Sequence, residues 1–189
     1  MLKGNIMGMR QYASKNTSNH NLAQIQLLNI YKVKCFDVDG NFKWEEVIKN
    51  LVTTEGLNYI MNAAFTGGSQ ISSWYVGLKD TGAAQASDAA SNIGAQNWTE
   101  YTEYSQATRP ALTLGSVSSG SVDNSGNVAV FTITSPAPDV YGVFVVDNNV
   151  IGAQSPATVL YGVGDFASAK VVDPNDTLNV TVTLSAASA

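Results

Sequence analysis

The chain holds one histidine, His20, and one cysteine, Cys35. Any Ser–His–Asp or Cys–His arrangement would therefore have to use His20 as its base. That residue stands in the polar run Ser18-Asn19-His20-Asn21. Such a run offers no apolar neighbours to hold an imidazole within hydrogen-bond reach of a nucleophile. Cys35 shares one face of an alternating stretch with Tyr31 and Val33, so it reads as a small buried hydrophobe. One cysteine and one histidine furnish neither an internal disulfide nor, by themselves, a structural zinc site.

The carboxylates are next. A glycosidase needs two facing acids at a set separation. Glu45 and Glu46 are adjacent and point to opposite faces of a strand. Glu100 and Glu103 flank tyrosines, and neither spacing singles out a facing pair. Asp37-Val38-Asp39-Gly40-Asn41 opens like a calcium loop, but the twelfth position is Ile48 and no helices flank it. Asp39-Gly40 is instead favoured chemistry for a tight hairpin turn. Tyr161-Gly162-Val163-Gly164 is followed by no Lys-Ser/Thr pair and opens no helix, which excludes a phosphate loop. The expectation is a non-enzymatic chain with no catalytic residue, cofactor or metal.

The elements that would carry any site are mostly strands. Residues 30–48 alternate around the Asp39-Gly40 turn and predict a β-hairpin. Residues 73–79, 98–105, 128–134, 158–166 and 177–184 add further strands. Residues 140–146 are apolar on both faces, as a central, doubly covered strand requires. The one helix is predicted over 53–66, with Thr53 or Thr54 as cap and Glu55 near the positive dipole end. Its apolar positions Leu57, Ile60, Met61, Ala64 and Phe65 fall on one face, which should cover a sheet or plug one end of a barrel. Gly67-Gly68 ends it. Residues 80–96, with six alanines and only Ile93 as a bulky side chain, predict a long exposed loop. The expected fold class is mainly β: an antiparallel β-sandwich or barrel-like domain with one short α-helix and an extended N-terminal arm. The expected organisation is an arm over 1–29 and a single domain over 30–189.

Charge supports that division. The 189 residues carry ten Lys+Arg and fifteen Asp+Glu, a net charge of −5, and only 13% are charged. The first 35 residues hold Lys3, Arg10, Lys15, Lys32 and Lys34 and no acid; residues 51–189 hold three bases and eleven acids. A basic head on an acidic body suits docking on a negative partner. Nucleic-acid binding needs a basic groove with aromatic platforms, and here the aromatics lie in the acidic region. No stretch approaches the ~20 apolar residues of a membrane span. In a regular strand Tyr101 has the opposite parity to Trp98 and Tyr104, so some aromatic surface is expected to face a partner.

Several blocks then occur in one order: NLVTTEGLNYIMNAAFTGGSQISSWYVGLKD (50–80), WTEYTEYSQATRPAL (98–112) and VYGVFVV (140–146). Over 42–184 the chain resembles a family of small virion proteins of tailed bacteriophages. The shared features are an N-L-V-x-x-x-G helix, a G-G-x-x-I-x-x-W-Y-x-G-L strand, a Y-x-x-A-T-R-P segment and a Y-G-x-F strand. The resemblance implies a β-rich structural protein of capsid decoration (cement) type. Its partners would be the major capsid protein and neighbouring copies of itself, on the capsid surface of the virion, after synthesis in the host cytoplasm. It supplies no catalytic residues, and the arm 1–29 departs from its pattern. The residues expected to bind partners are Lys3, Arg10 and Lys15 in the arm and Trp98, Tyr101 and Tyr104 in the body. The rival expectations are a tail, fibre or neck component, a carbohydrate-binding sandwich that stacks sugars on those three aromatics, and an enzyme.

Overall fold

A computed structural model describes residues 25–93, 98–136, 138–152, 155 and 158–188. Lys3, Arg10, Lys15 and His20 lie outside the described residues. Two antiparallel five-stranded sheets pack face to face as a β-sandwich. They remain two separate sheets, so the barrel alternative does not apply.

The first sheet begins as the predicted hairpin. Strands β1 (Ile25–Phe36) and β2 (Phe42–Lys49) pair antiparallel. The Asp37 carboxylate accepts the backbone N–H of Asp39 at 3.0 Å and of Asn41 at 2.7 Å. Gly40 takes a φ of +83° there, a conformation open to glycine. Its other strands are β6 (Ser121–Asp123), β7 (Ala129–Thr132) and β10 (Thr177–Ser188). The order is β2-β1-β10-β6, with β7 on the same edge of β10. The second sheet runs β3 (Leu51–Val52), β9 (Leu160–Lys170), β8 (Val140–Val146), β4 (Tyr75–Gly82) and β5 (Trp98–Tyr101).

Alternation decides which side chains meet between the sheets. Tyr31, Val33 and Cys35 of β1 and Leu178, Val180 and Val182 of β10 are fully buried against Val76, Leu78, Val143 and Val145 of the second sheet. β8 is buried along both faces, as its unbroken apolar run requires. Its other face carries Phe144 and Val146 into a second cluster with Trp98, Leu160, Val163, Ala90 and Ile93.

Three expectations need correction. The arm does not extend to residue 29. β10 continues to Ser188, and its backbone pairs with Ile25–Asn29, so those five residues are strand. Residues 80–93 are only in part the expected exposed loop: residue 83 and residues 85–87 are exposed. β4 continues to Gly82, and beyond it Asp88, Ala90 and Ile93 are buried over the outer face of the second sheet.

The third correction concerns helix α1 (Thr54–Phe65). Its limits and its cap agree with the sequence, but it presents a different face. Thr53 Oγ1 accepts the Gly56 N–H at 3.0 Å and donates to the Leu160 carbonyl at 2.5 Å. Glu55 Oε2 accepts the N–H of Leu160 at 2.6 Å and of Ala90 at 2.9 Å. These bonds fix the helix rotation. Gly56 lies so close to the Tyr161 carbonyl that a Cβ would collide with it, and Ile60 packs on the core beyond. Leu57, Met61 and Phe65 are consequently turned outward, at 44%, 57% and 70% exposure. Thr53→Ala removes the cap and the tie to β9, and should cost about 1–2 kcal/mol. A urea midpoint measured at constant slope checks this.

Candidate functional site

The charged interior is closed on itself. Arg109 on the chain following β5 donates from Nε and Nη2 to the two carboxylate oxygens of Glu100, both at 2.7 Å. Its Nη1 donates to the Asn148 carbonyl at 2.8 Å, and the guanidinium lies 5.3 Å from the centre of the Phe144 ring. Glu100 also accepts the Gly152 N–H at 2.7 Å. Lys79 pairs with Asp165 at 2.7 Å, the two reaching across Gly142 of the intervening strand. Lys43 bridges Asp173 at 2.7 Å and Asp176 at 2.5 Å, tying β2 to the turn before β10. Glu45 pairs with Lys34, and Glu46 with Lys170. Three of the four carboxylates weighed from the sequence, Glu45, Glu46 and Glu100, are thus held by cations of the frame.

Cys35 is fully buried, as its strand position implies. Its thiol lies 3.7 Å from the Asp176 carboxylate. Burial, reinforced by that negative charge, pushes the thiol pKa up to about 12. A thiol held protonated is a poor nucleophile. Among the described residues no group of three or more His, Cys, Asp or Glu side chains is arranged to hold a metal ion.

Asp80 is one carboxylate with an unmet need. Its Oδ2 accepts the Thr99 hydroxyl at 3.2 Å, while its Oδ1 is buried without a partner among the described residues. Burial raises its pKa, with Thr99 and Lys79 opposing that and Asp139 adding to it. The folded state therefore binds the proton more tightly than the unfolded chain. Stability falls as pH rises from the ordinary carboxylate range through the raised value. Asp80→Asn should raise stability at pH 7, and the gain should vanish below about pH 4. Urea titrations at the two pH values read the difference.

The aromatics named as partner-binding residues are all buried. Trp98 lies on the outer face of its sheet, as parity requires, but residues 83–93 cover that face. Its indole N–H donates to Asp88 at 2.9 Å, and its ring lies 5.1 Å from that of Phe144. Tyr101 points the other way, into the main core, and donates to the Ser135 carbonyl at 3.0 Å. β5 ends at Tyr101, so the chain turns and Tyr104 also enters the core, 4.9 Å edge-on from Phe131. None of the three offers a flat face to a partner or a sugar. The parity argument missed the second apolar layer that covers the outer face.

Two other surfaces are open. One is the α1 stripe of Leu57, Met61 and Phe65, spaced four residues apart, with Leu51 of β3 also exposed. No charged side chain interrupts the stripe, because Glu55, the only charge on the helix, is bonded to Leu160 and Ala90. The periodicity identified these residues and assigned them to the wrong side. The other surface is a groove of three adjoining hollows of 490, 150 and 270 Å³. Trp74 and Leu112 line both the first and the second. Tyr161 and Leu184 line both the second and the third, which ends at Leu27 and Val117. Tyr59, Trp74 and Tyr161 form a T-shaped series there, with ring centres 5.2 and 5.7 Å apart. Among the described residues no charged side chain lines any of the three hollows.

These features define an antiparallel β-sandwich with its charged pairs spent on the frame and apolar surface left open outside. No protein-family model, curated protein or solved structure matches the chain.

Proposed function

We propose that the chain is a non-enzymatic structural protein of a tailed-phage virion that binds the outside of the capsid shell and stabilises it. The observation that carries this reading is the uncharged apolar stripe Leu57, Met61 and Phe65. It lies inside the block 50–80 through which the sequence resembles phage virion proteins. A monomer gains nothing from exposing three large side chains along one helix, whereas a contiguous patch of this kind is typical of a protein contact. In this reading α1 seats on the major capsid protein or on a neighbouring copy of this chain. Lys3, Arg10 and Lys15 would face acidic groups of the shell.

Burying a side chain of this size contributes about 1.5–3 kcal/mol. The double variant Met61→Asp/Phe65→Asp should therefore bind shells of the encoding phage at least about tenfold more weakly. Its unfolding midpoint should stay close to that of the parent, since both positions are exposed. Co-sedimentation with purified shells measures the first and a urea titration the second. Undiminished occupancy by the variant would contradict the assignment.

A further inference from the structure

We propose that the uncharged groove is the seat of the chain's own N-terminal segment, which docks in it through Leu2, Ile6, Met7 and Met9.

The first support is the place where β1 begins. Leu27 lines the lower end of the groove, and Ile25, two residues earlier on the same face of β1, is 74% exposed. The segment 1–24 thus joins the body at the rim of the groove. Its length is sufficient. Fifteen residues lie between Met9 and Ile25, a span of up to roughly 50 Å at about 3.3 Å per residue. A body of this size has a radius of gyration of only roughly 15 Å. A tethered segment also meets its site at a high effective concentration, which favours its own groove over that of another copy.

The second support is chemical. The walls of the middle hollow are aromatic and aliphatic: Tyr59, Trp74, Leu112, Tyr161 and Leu184; Ser72, Ser73 and Thr113 add hydroxyls to the first. Among the described residues no carboxylate lines the groove, so an ammonium or a guanidinium finds no ion-pair partner there. An occupant must offer apolar side chains and keep its charges outside. The first ten residues, MLKGNIMGMR, do that: four large apolar side chains follow Met1, and Lys3 and Arg10 bracket Ile6, Met7 and Met9. Methionine is suited to an irregular wall of this kind, because its unbranched thioether adapts to shape. Seated this way, the segment covers apolar surface of the body and turns its basic groups outward at the groove mouth. The docking stands whether or not the body binds a phage shell.

The test uses the full chain. Met9→Cys carries a nitroxide, while Cys35 is fully buried and escapes labelling. The expected result is that the Trp74 indole and the Leu112 and Leu184 methyl signals lose most of their intensity. The loss should persist on dilution. It should be absent when nitroxide-bearing chains are mixed with isotope-labelled chains that lack the nitroxide. Adding Ile6→Asp and Met7→Asp to the labelled chain should restore the signals and leave the urea midpoint of the sandwich unchanged. Unaffected groove signals would overturn the proposal. So would broadening seen only in the mixed sample, which assigns the groove to another copy, or broadening that survives the two aspartates.

Discussion

Arg109→Leu is expected to lower the unfolding free energy by about 3–5 kcal/mol, the scale on which a buried pair is missed when one partner is removed. Both side chains of the pair are shielded, Arg109 at 0% and Glu100 at 3% exposure. The guanidinium makes three hydrogen bonds, two of them to one carboxylate in parallel. Leucine would leave Glu100 charged and buried, with the Gly152 N–H as its remaining donor among the described residues. The pair as a whole is worth less than this figure, because both charges were taken out of water to form it. Arg109→Leu/Glu100→Leu should therefore recover a large part of the loss. Urea unfolding of the three variants measures both effects. A single-variant loss below about 1 kcal/mol would mean that water reaches Glu100.

Phe144→Ala should cost a similar amount, about 3–5 kcal/mol, through lost transfer energy and the cavity left behind. Phe144 is fully buried on β8, the middle strand of the second sheet. Its ring meets Trp98 on one side and Arg109 on another. Across the strand pair stands Gly77, where any Cβ would collide with the ring. The backbone is thus shaped around this side chain and cannot collapse easily into the space it leaves. Because Phe144 and Arg109 touch, their losses should not add. The double variant should fall short of the sum by about 0.5 kcal/mol or more. Strict additivity in a double-mutant cycle would show that the ring and the guanidinium stabilise the sheet independently.

Much of this fold was legible because period and turn chemistry agree. Tyr31, Val33 and Cys35 alternate with lysines, Asp39-Gly40 turns the chain, and the hairpin follows. Leu178, Val180 and Val182 alternate with Asn179 and Thr181, and β10 follows. The unbroken run 140–146 announced a doubly covered strand. What alternation cannot reveal is what lies over an outer face. Trp98 and Tyr101 do point in opposite directions, but residues 83–93 form a second roof, and no local pattern in that alanine-rich run signals it. Nor does helical period fix a helix's rotation. Leu57, Met61 and Phe65 form an apolar stripe in either orientation. The choice is made by Thr53 and Glu55 through bonds to Leu160, more than a hundred residues away. The groove was illegible for the same reason. Trp74 and Leu112 come from the sheet edge, Tyr59 from α1 and Leu184 from β10, and only the packed sandwich brings them together.

The central claim is that the apolar face of α1 is a contact surface on a phage shell. A cryo-EM map of the intact virion that encodes this chain tests it most directly. The account predicts density for the sandwich on the outside of the capsid, in many copies, with Leu57, Met61 and Phe65 against the shell or against a neighbouring copy. Density confined to the tail, or a shell-bound sandwich with that helix face open to solvent, would contradict it.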